Sequence, residues 1–176
     1  TFRWSTATRL SFPVFFSLFF LPWEYFIRDG LELQLQIWTA DIAFWLLDTV
    51  GYEVWYFNEY TIDSEPFYVI VNETCSGVNM LITLAMYTLV FGWLVQPSWR
   101  GRALLLAFVF PLAMGANGVR VMVIFLLGYY GGIEWADGFW HTGSAYVIFM
   151  PIFWIIYRLN QIYSDYISSN HSAPRP

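Results

Sequence analysis

Charge along the 176-residue chain is confined to short intervals, and the stretches between them are apolar. A charge near a bilayer centre costs roughly 2.5–3.5 kcal/mol even on the lenient insertion scale, so uncharged runs mark candidate spans. Four stand out: LSFPVFFSLFFLPW between Arg9 and Glu24, 26 residues between Glu73 and Arg100, 17 between Arg102 and Arg120, and 20 between Asp137 and Arg158. At 1.5 Å per helical residue the last reaches about 30 Å, one hydrocarbon thickness. Each run predicts one crossing. The first follows Arg3 and Arg9, and Leu21-Pro22-Trp23-Glu24 is a poor match to a small-residue cleavage site, so it reads as an uncleaved anchor. Trp4, Trp23, Trp93, Trp99, Trp135, Trp140 and Tyr157 fall near the run ends, where amphipathic rings prefer the headgroup level.

Three further segments have patterns of their own. Leu31 to Val50 is helical in period, with Gln34, Asp41 and Asp48 on one stripe and Leu31, Leu35, Trp38, Ile42 and Trp45 opposite. That polar stripe predicts an amphipathic helix at the outer interface or against the bundle, not a fifth crossing. Val54 to Ile62 and Phe67 to Asn72 are rich in aromatic and β-branched residues and are joined by Asp63-Ser64-Glu65-Pro66, which predicts a short extracytoplasmic β-hairpin. Val121 to Gly132 is too short to cross alone. It predicts a continuation of the preceding helix beyond a break, or a half-helix, with Gly115, Gly118, Gly128, Gly131 and Gly132 supplying the bends. With no internal repeat or linker, residues 1–163 form a single membrane-embedded domain, and 164–176 read as a polar disordered tail. The expected fold class is therefore an all-α polytopic membrane protein of about four crossings, with an amphipathic helix, a half-helix and a short hairpin.

Composition strengthens the membrane reading. Only 12% of residues are charged and 22% are aromatic, against about a quarter charged in a soluble domain. The eight cations are all arginine, against 13 carboxylates. Such acidity argues against a nucleic-acid partner and leaves membrane lipids as the surrounding medium. A single cysteine, Cys75, excludes an intrachain disulfide framework, a CxxC redox pair and any multi-cysteine metal site; no metal or cofactor is expected. With a cytoplasmic N-terminus, four crossings put Arg3, Arg9, Arg100, Arg102, Arg158 and Arg175 inside with one acid, Asp165. The other 12 carboxylates lie outside with Arg28 and Arg120. That satisfies the positive-inside rule, and the inverted topology fails it. Both termini are then cytoplasmic.

This topology delivers three residue types of complementary chemistry to the outer boundary. Cys75 opens the second crossing, Arg120 ends the third, and His141 opens the last. In Glu73-Thr74-Cys75-Ser76-Gly77, Thr74 or Ser76 can cap the following helix. A thiol at a helix N-terminus beside Arg or protonated His is activated. The bland alternative is a buried cysteine acting as a small hydrophobe, and Glu73 would oppose thiolate formation if it faced the sulfur. Arg120 is apolar on both flanks, so it either serves a site or snorkels and pairs with an external carboxylate. Asn117, three residues earlier, shares its helical face and could orient it or add an oxyanion donor. His141 can take and return a proton, or merely cap its helix. His171 lies in the predicted tail on the opposite side.

The string Glu73-Thr74-Cys75-Ser76-Gly77, followed by Asn117-x-x-Arg120 and by His141 before a final span, resembles the exosortase/archaeosortase family of membrane-embedded cysteine transpeptidases. The resemblance covers roughly Val71 to Tyr157. It implies a prokaryotic inner-membrane enzyme with a Cys75-Arg120-His141 site on the extracytoplasmic face, supported by Asn117, Ser76 and Glu73. By this analogy Cys75 forms a thioester with an exported protein, Arg120 stabilises the oxyanion and His141 shuttles the proton. The implied partners are exported proteins with a C-terminal sorting signal: a motif, a transmembrane helix and a basic end. Three rivals fare worse. A serine protease using Ser76 and His141 leaves Cys75 and Arg120 idle, and a metalloprotease lacks His-Glu-x-x-His. A non-catalytic membrane subunit, such as a transporter component or assembly factor, would distribute its intramembrane charges along a path, whereas here they cluster at one face.

Overall fold

The structure, a computed structural model, describes residues 16–17, 21, 31–65, 67–72, 75–137 and 139–172, without the side chains of 139–142 and 170–172. The elements in chain order are α1 (Leu31–Val50), β1 (Trp55–Asn58), β2 (Thr61–Ser64), β3 (Phe67–Ile70), α2 (Val78–Val95), α3 (Trp99–Gly131), α4 (Ile133–Asp137) and α5 (Phe139–Ser172). Among the described residues three helical stretches are long and apolar enough to cross a membrane: α2, α3 and Gly143–Ser169 within α5. The sequence predicts four crossings. The first of them, at 10–23, lies outside the described residues except for 16–17 and 21.

Helix α3 organises everything else. Its 33 residues span about 50 Å at 1.5 Å each, some 20 Å more than a hydrocarbon core. The half that begins at Trp99 packs with α2 and α5 in one apolar cluster: Met80 and Leu84, Leu105, Val109 and Ala113, and Ile152 and Ile156. Tyr87 against Phe153, at 4.1 Å between ring centroids, fills the gap between α2 and α5. Outward from this cluster, Phe108, Phe110, Tyr146, Met150 and Trp154 are exposed, the surface expected of a lipid-facing bundle. Lipid tails are as apolar as these side chains, so close packing, not expulsion of water, holds this half together. At its far end Gln96 Nε2 donates to Asn160 Oδ1 at 2.8 Å. Arg102 Nε donates to the carbonyls of Gly92 and Gln96, which closes the α2 C-terminus.

The second half of α3 carries a separate core with the sheet, α1 and α4. Ala40, Ala43 and Leu47 of α1 meet Ile62, Val69, Val71, Val121, Ile124, Phe125 and Ala136 there. Phe125, fully buried, is the largest side chain of this core.

Four sequence expectations change here. The half-helix is not formed: α3 runs unbroken from Trp99 through Gly131, past Pro111. Gly118 and Gly128 serve close approach instead of bending. A Cβ at Gly118 would run into Ile42, and one at Gly128 into Phe67; only Gly132, at the end, has positive φ. The hairpin is a three-stranded antiparallel sheet of order β1-β2-β3. Asn58 splits the first expected strand, because its Oδ1 accepts from Tyr60 N–H at 3.1 Å and turns the chain into β2. Helix α1 lies against the bundle, with Gln34, Asp41 and Asp48 exposed as expected, but its packed face differs from the one predicted. Leu35, Gln36, Thr39, Ala40, Ala43 and Leu47 are buried, whereas Leu31, Trp38 and Trp45 are exposed. Small residues at 40 and 43 let α1 approach α3 closely, which two tryptophans could not. Finally, α5 continues to Ser172, through most of the segment expected to be a disordered tail. Ser168 and Ser169 hydroxyls donate to backbone carbonyls at Ser164 and Tyr166 and so compete with water for their own helix.

Candidate functional site

Cys75 sits where the two halves meet. Strand β3 ends at Ile70, and Val71 N–H still bonds Tyr60 O at 2.9 Å. The chain then turns: Cys75 N–H donates to Asn72 O at 2.9 Å and to Asn72 Oδ1 at 3.2 Å. Gly77, at φ 87°, is the N-cap of α2. A left-handed N-cap offers no side chain, and Ser76 Oγ instead accepts from Val78 N–H at 3.4 Å. Ser76 Oγ also lies 3.5 Å from Glu32 Oε1.

Asn117 ties this turn to α3. Fully buried, it donates from Nδ2 to Cys75 O at 2.7 Å and to Thr39 Oγ1 at 3.1 Å. A primary amide has two N–H bonds, so both are engaged. Asn117 therefore acts on the backbone of the Cys75 turn, and no N–H is left over for an oxyanion in this arrangement. One helical turn further, Arg120 is 8% exposed, beside Val121 of the same core that holds Cys75. Cys75 itself is 3% exposed and carries a free thiol. Burial alone would suit a small hydrophobe. The hydrogen bonds that hold this turn are made by the Cys75 backbone N–H and C=O.

His141 falls in the first turn of α5, and its side chain lies outside the described residues, as do Glu73 and Thr74. The structure thus joins Cys75, Ser76 and Asn117 directly, places Arg120 on the same helix, and leaves His141 positioned by its backbone only. Thr39 and Glu32 are neighbours that sequence reasoning missed. The signal lay in the small and polar residues Gln36, Thr39, Ala40 and Ala43 at helical spacing, a packing face that large apolar side chains nearby obscured.

The same layer carries a tyrosine-rich surface. Tyr56 donates to Asp41 at 2.8 Å; burial first, and then the Asp41 bond and charge, push its pKa up. Tyr52 and Tyr130 hydroxyls meet at 2.7 Å, and that bond raises the Tyr52 pKa most. An open cleft of about 750 Å³ lies beside them, lined by Tyr52, Glu53, Trp55, Glu65, Tyr129 and Tyr130 among others. Its lining contains none of the predicted site residues.

A long central helix, two packed crossings and a strand layer that hands its last strand to a buried Cys-Ser-Gly turn define a polytopic membrane protein with a buried polar cluster at that turn. Residues 1–158 match the family model described as transmembrane exosortase (Exosortase_EpsH), and the chain belongs to that family. No curated protein and no solved structure was found to match it.

Proposed function

We propose that the protein is a membrane-embedded cysteine transpeptidase that cleaves the C-terminal sorting tail of exported proteins and transfers them to an acceptor. The observation that carries this reading is the Asn117 amide, which binds the backbone of Cys75 while Arg120 sits buried one turn away. That bond brings the Cys-Ser-Gly string against the Asn-x-x-Arg string, 42 residues away, and supports assigning both to one site.

In the reaction, the Cys75 thiolate attacks a substrate peptide carbonyl and the C=O electrons move to oxygen. The Arg120 guanidinium stabilises that oxyanion, an effect of the kind worth about 10²–10³ in rate per donor. As the tetrahedral centre collapses, the C–N bond breaks. His141, holding the proton taken from the thiol, returns it to the leaving amine. The resulting thioester is resolved by an acceptor nucleophile, whose proton passes to His141, and the thiolate is regenerated. Ser76 supports the turn by accepting from Val78 N–H. The sheet-bearing end faces away from the cytoplasm and the Arg102 end faces it, in keeping with six of eight arginines on the cytoplasmic side.

Cys75→Ala should abolish maturation of a reporter that carries a sorting tail while the variant still accumulates in the membrane. Unchanged maturation would rule out the thioester mechanism. A thiol reagent that cannot pass membranes should label Cys75 in intact spheroplasts. Labelling seen only after permeabilisation would reverse the sidedness.

A further inference from the structure

We propose that Thr39, on a helix outside the family motifs, is a positioning residue that fixes the orientation of the Cys75 turn through its hydroxyl. The proposal rests on the transpeptidase reading for its effect on turnover, but its structural claim concerns Cys75 directly.

Thr39 is fully buried on the face of α1 that packs against α3. Inside a helix a threonine hydroxyl ordinarily bonds its own i−3 or i−4 carbonyl. Here it reaches 37 residues along the chain and donates to Ser76 O at 3.3 Å. A hydroxyl has a single proton, so its oxygen can only accept from Asn117, and the amide must present Nδ2 to it. The second Nδ2 hydrogen then falls to Cys75 O. A flipped amide would set Oδ1 against Cys75 O and against a threonine oxygen whose proton is already engaged. Asn117 Oδ1 accordingly has no hydrogen-bond partner although it is buried. The acceptor-only Cys75 carbonyl orients the amide, and the Thr39 hydroxyl, accepting from that amide and donating to Ser76 O, extends the same direction to the second carbonyl of the turn.

Two successive carbonyls, those of Cys75 and Ser76, are held by this chain. With both directions pinned, the peptide planes after Cys75 and Ser76 cannot rotate, and the Cα of Cys75 keeps one orientation relative to α3 and Arg120. Ile42 seated at Gly118, and Ala43 in the shared core, hold α1 at the distance this requires. On this account α1 is part of the catalytic apparatus, though it contributes no group to the reaction.

The test uses the full chain in native membranes, with iodoacetamide as the probe of Cys75, the only cysteine present. Thr39→Val keeps the shape and removes the proton; Thr39→Ser keeps the proton. Thr39→Val should slow maturation of a tail-bearing reporter by about 10- to 100-fold, the range of a lost buried bond and a small misplacement. It should also displace the pH profile of Cys75 alkylation, and Thr39→Ser should restore both. Identical alkylation profiles for wild type and Thr39→Val, or a serine variant as impaired as the valine, would overturn the proposal. Should Thr39→Val fail to accumulate, Thr39→Ala takes its place under the same criteria. Failure of both to accumulate would assign the hydroxyl to folding and also overturn it. If Cys75→Ala left maturation unchanged, the transpeptidase reading would fall, while the alkylation profiles would still decide the role of Thr39.

Discussion

Gly77 is the position where backbone conformation and site geometry make separate, measurable demands. Its φ of 87° is left-handed, and a Cβ built there would lie 2.8 Å from Asn117 Nδ2 and 3.1 Å from its Cγ. Gly51 has a similar φ of 97° with nothing within 4 Å, and Gly115 has neither constraint. Replacing Gly51 by alanine should therefore cost only the left-handed penalty, about 1–2 kcal/mol. Gly77→Ala adds the displacement of Asn117 from Cys75 O, which strands a buried acceptor for about 1–3 kcal/mol more, about 2–5 kcal/mol in all. Gly115→Ala should be neutral or stabilising by up to about 1 kcal/mol, because alanine favours the helix. Reversible unfolding in mixed micelles, followed by tryptophan fluorescence, compares the three variants on one scale. Iodoacetamide reaction with Cys75 in the folded state reads the local effect, and should accelerate in Gly77→Ala alone. A Gly77→Ala variant no less stable than Gly51→Ala, with unchanged alkylation, would refute the claim that Asn117 and Gly77 are fitted to one another.

Two further outcomes test the site and its layer. Arg120→Lys keeps the charge and loses the planar fork, so reporter maturation should fall toward the about 10²–10³ deficit of a missing oxyanion donor. Full activity would demote Arg120 to a structural ion-pairing role. Tyr56→Phe removes the bond to Asp41, and because Tyr56 is 42% exposed the loss should be no more than about 1 kcal/mol near neutral pH. The folded-state pKa is raised above 10.0, so this stabilisation is complete below about pH 10 and is lost as the pH climbs through the raised value. A stability difference between wild type and Tyr56→Phe that stayed constant beyond about pH 11 would contradict it.

Much of the site was legible because its chemistry is local in sequence. Cys75-Ser76-Gly77 and Asn117-x-x-Arg120 are short strings, and the spacing of Asn117 and Arg120 follows from helical period alone. Less legible was what each residue does. Asn117 was expected to serve Arg120 or an oxyanion; its N–H groups are instead engaged by Cys75 O and Thr39 Oγ1. That assignment depends on α1, whose position no residue near Cys75 encodes.

By itself the sequence determined which segments are apolar enough for a bilayer, where charge interrupts them, and that a lone cysteine, an arginine flanked by apolar residues and a histidine ahead of the last span are available for chemistry. Those properties follow from transfer free energies, which depend on composition over a window and not on neighbours in space. Only the tertiary structure decided that α3 is continuous, that α1 packs by Ala40 and Ala43 and not by Trp38 and Trp45, and that Thr39 completes the bonds around Cys75. The reason is physical: glycine permits a bend as readily as a close contact, and an amphipathic helix offers more than one face. Which option is realised depends on the shape of the partner, and Ile42 against Gly118 and Phe67 against Gly128 are contacts between residues far apart in the chain.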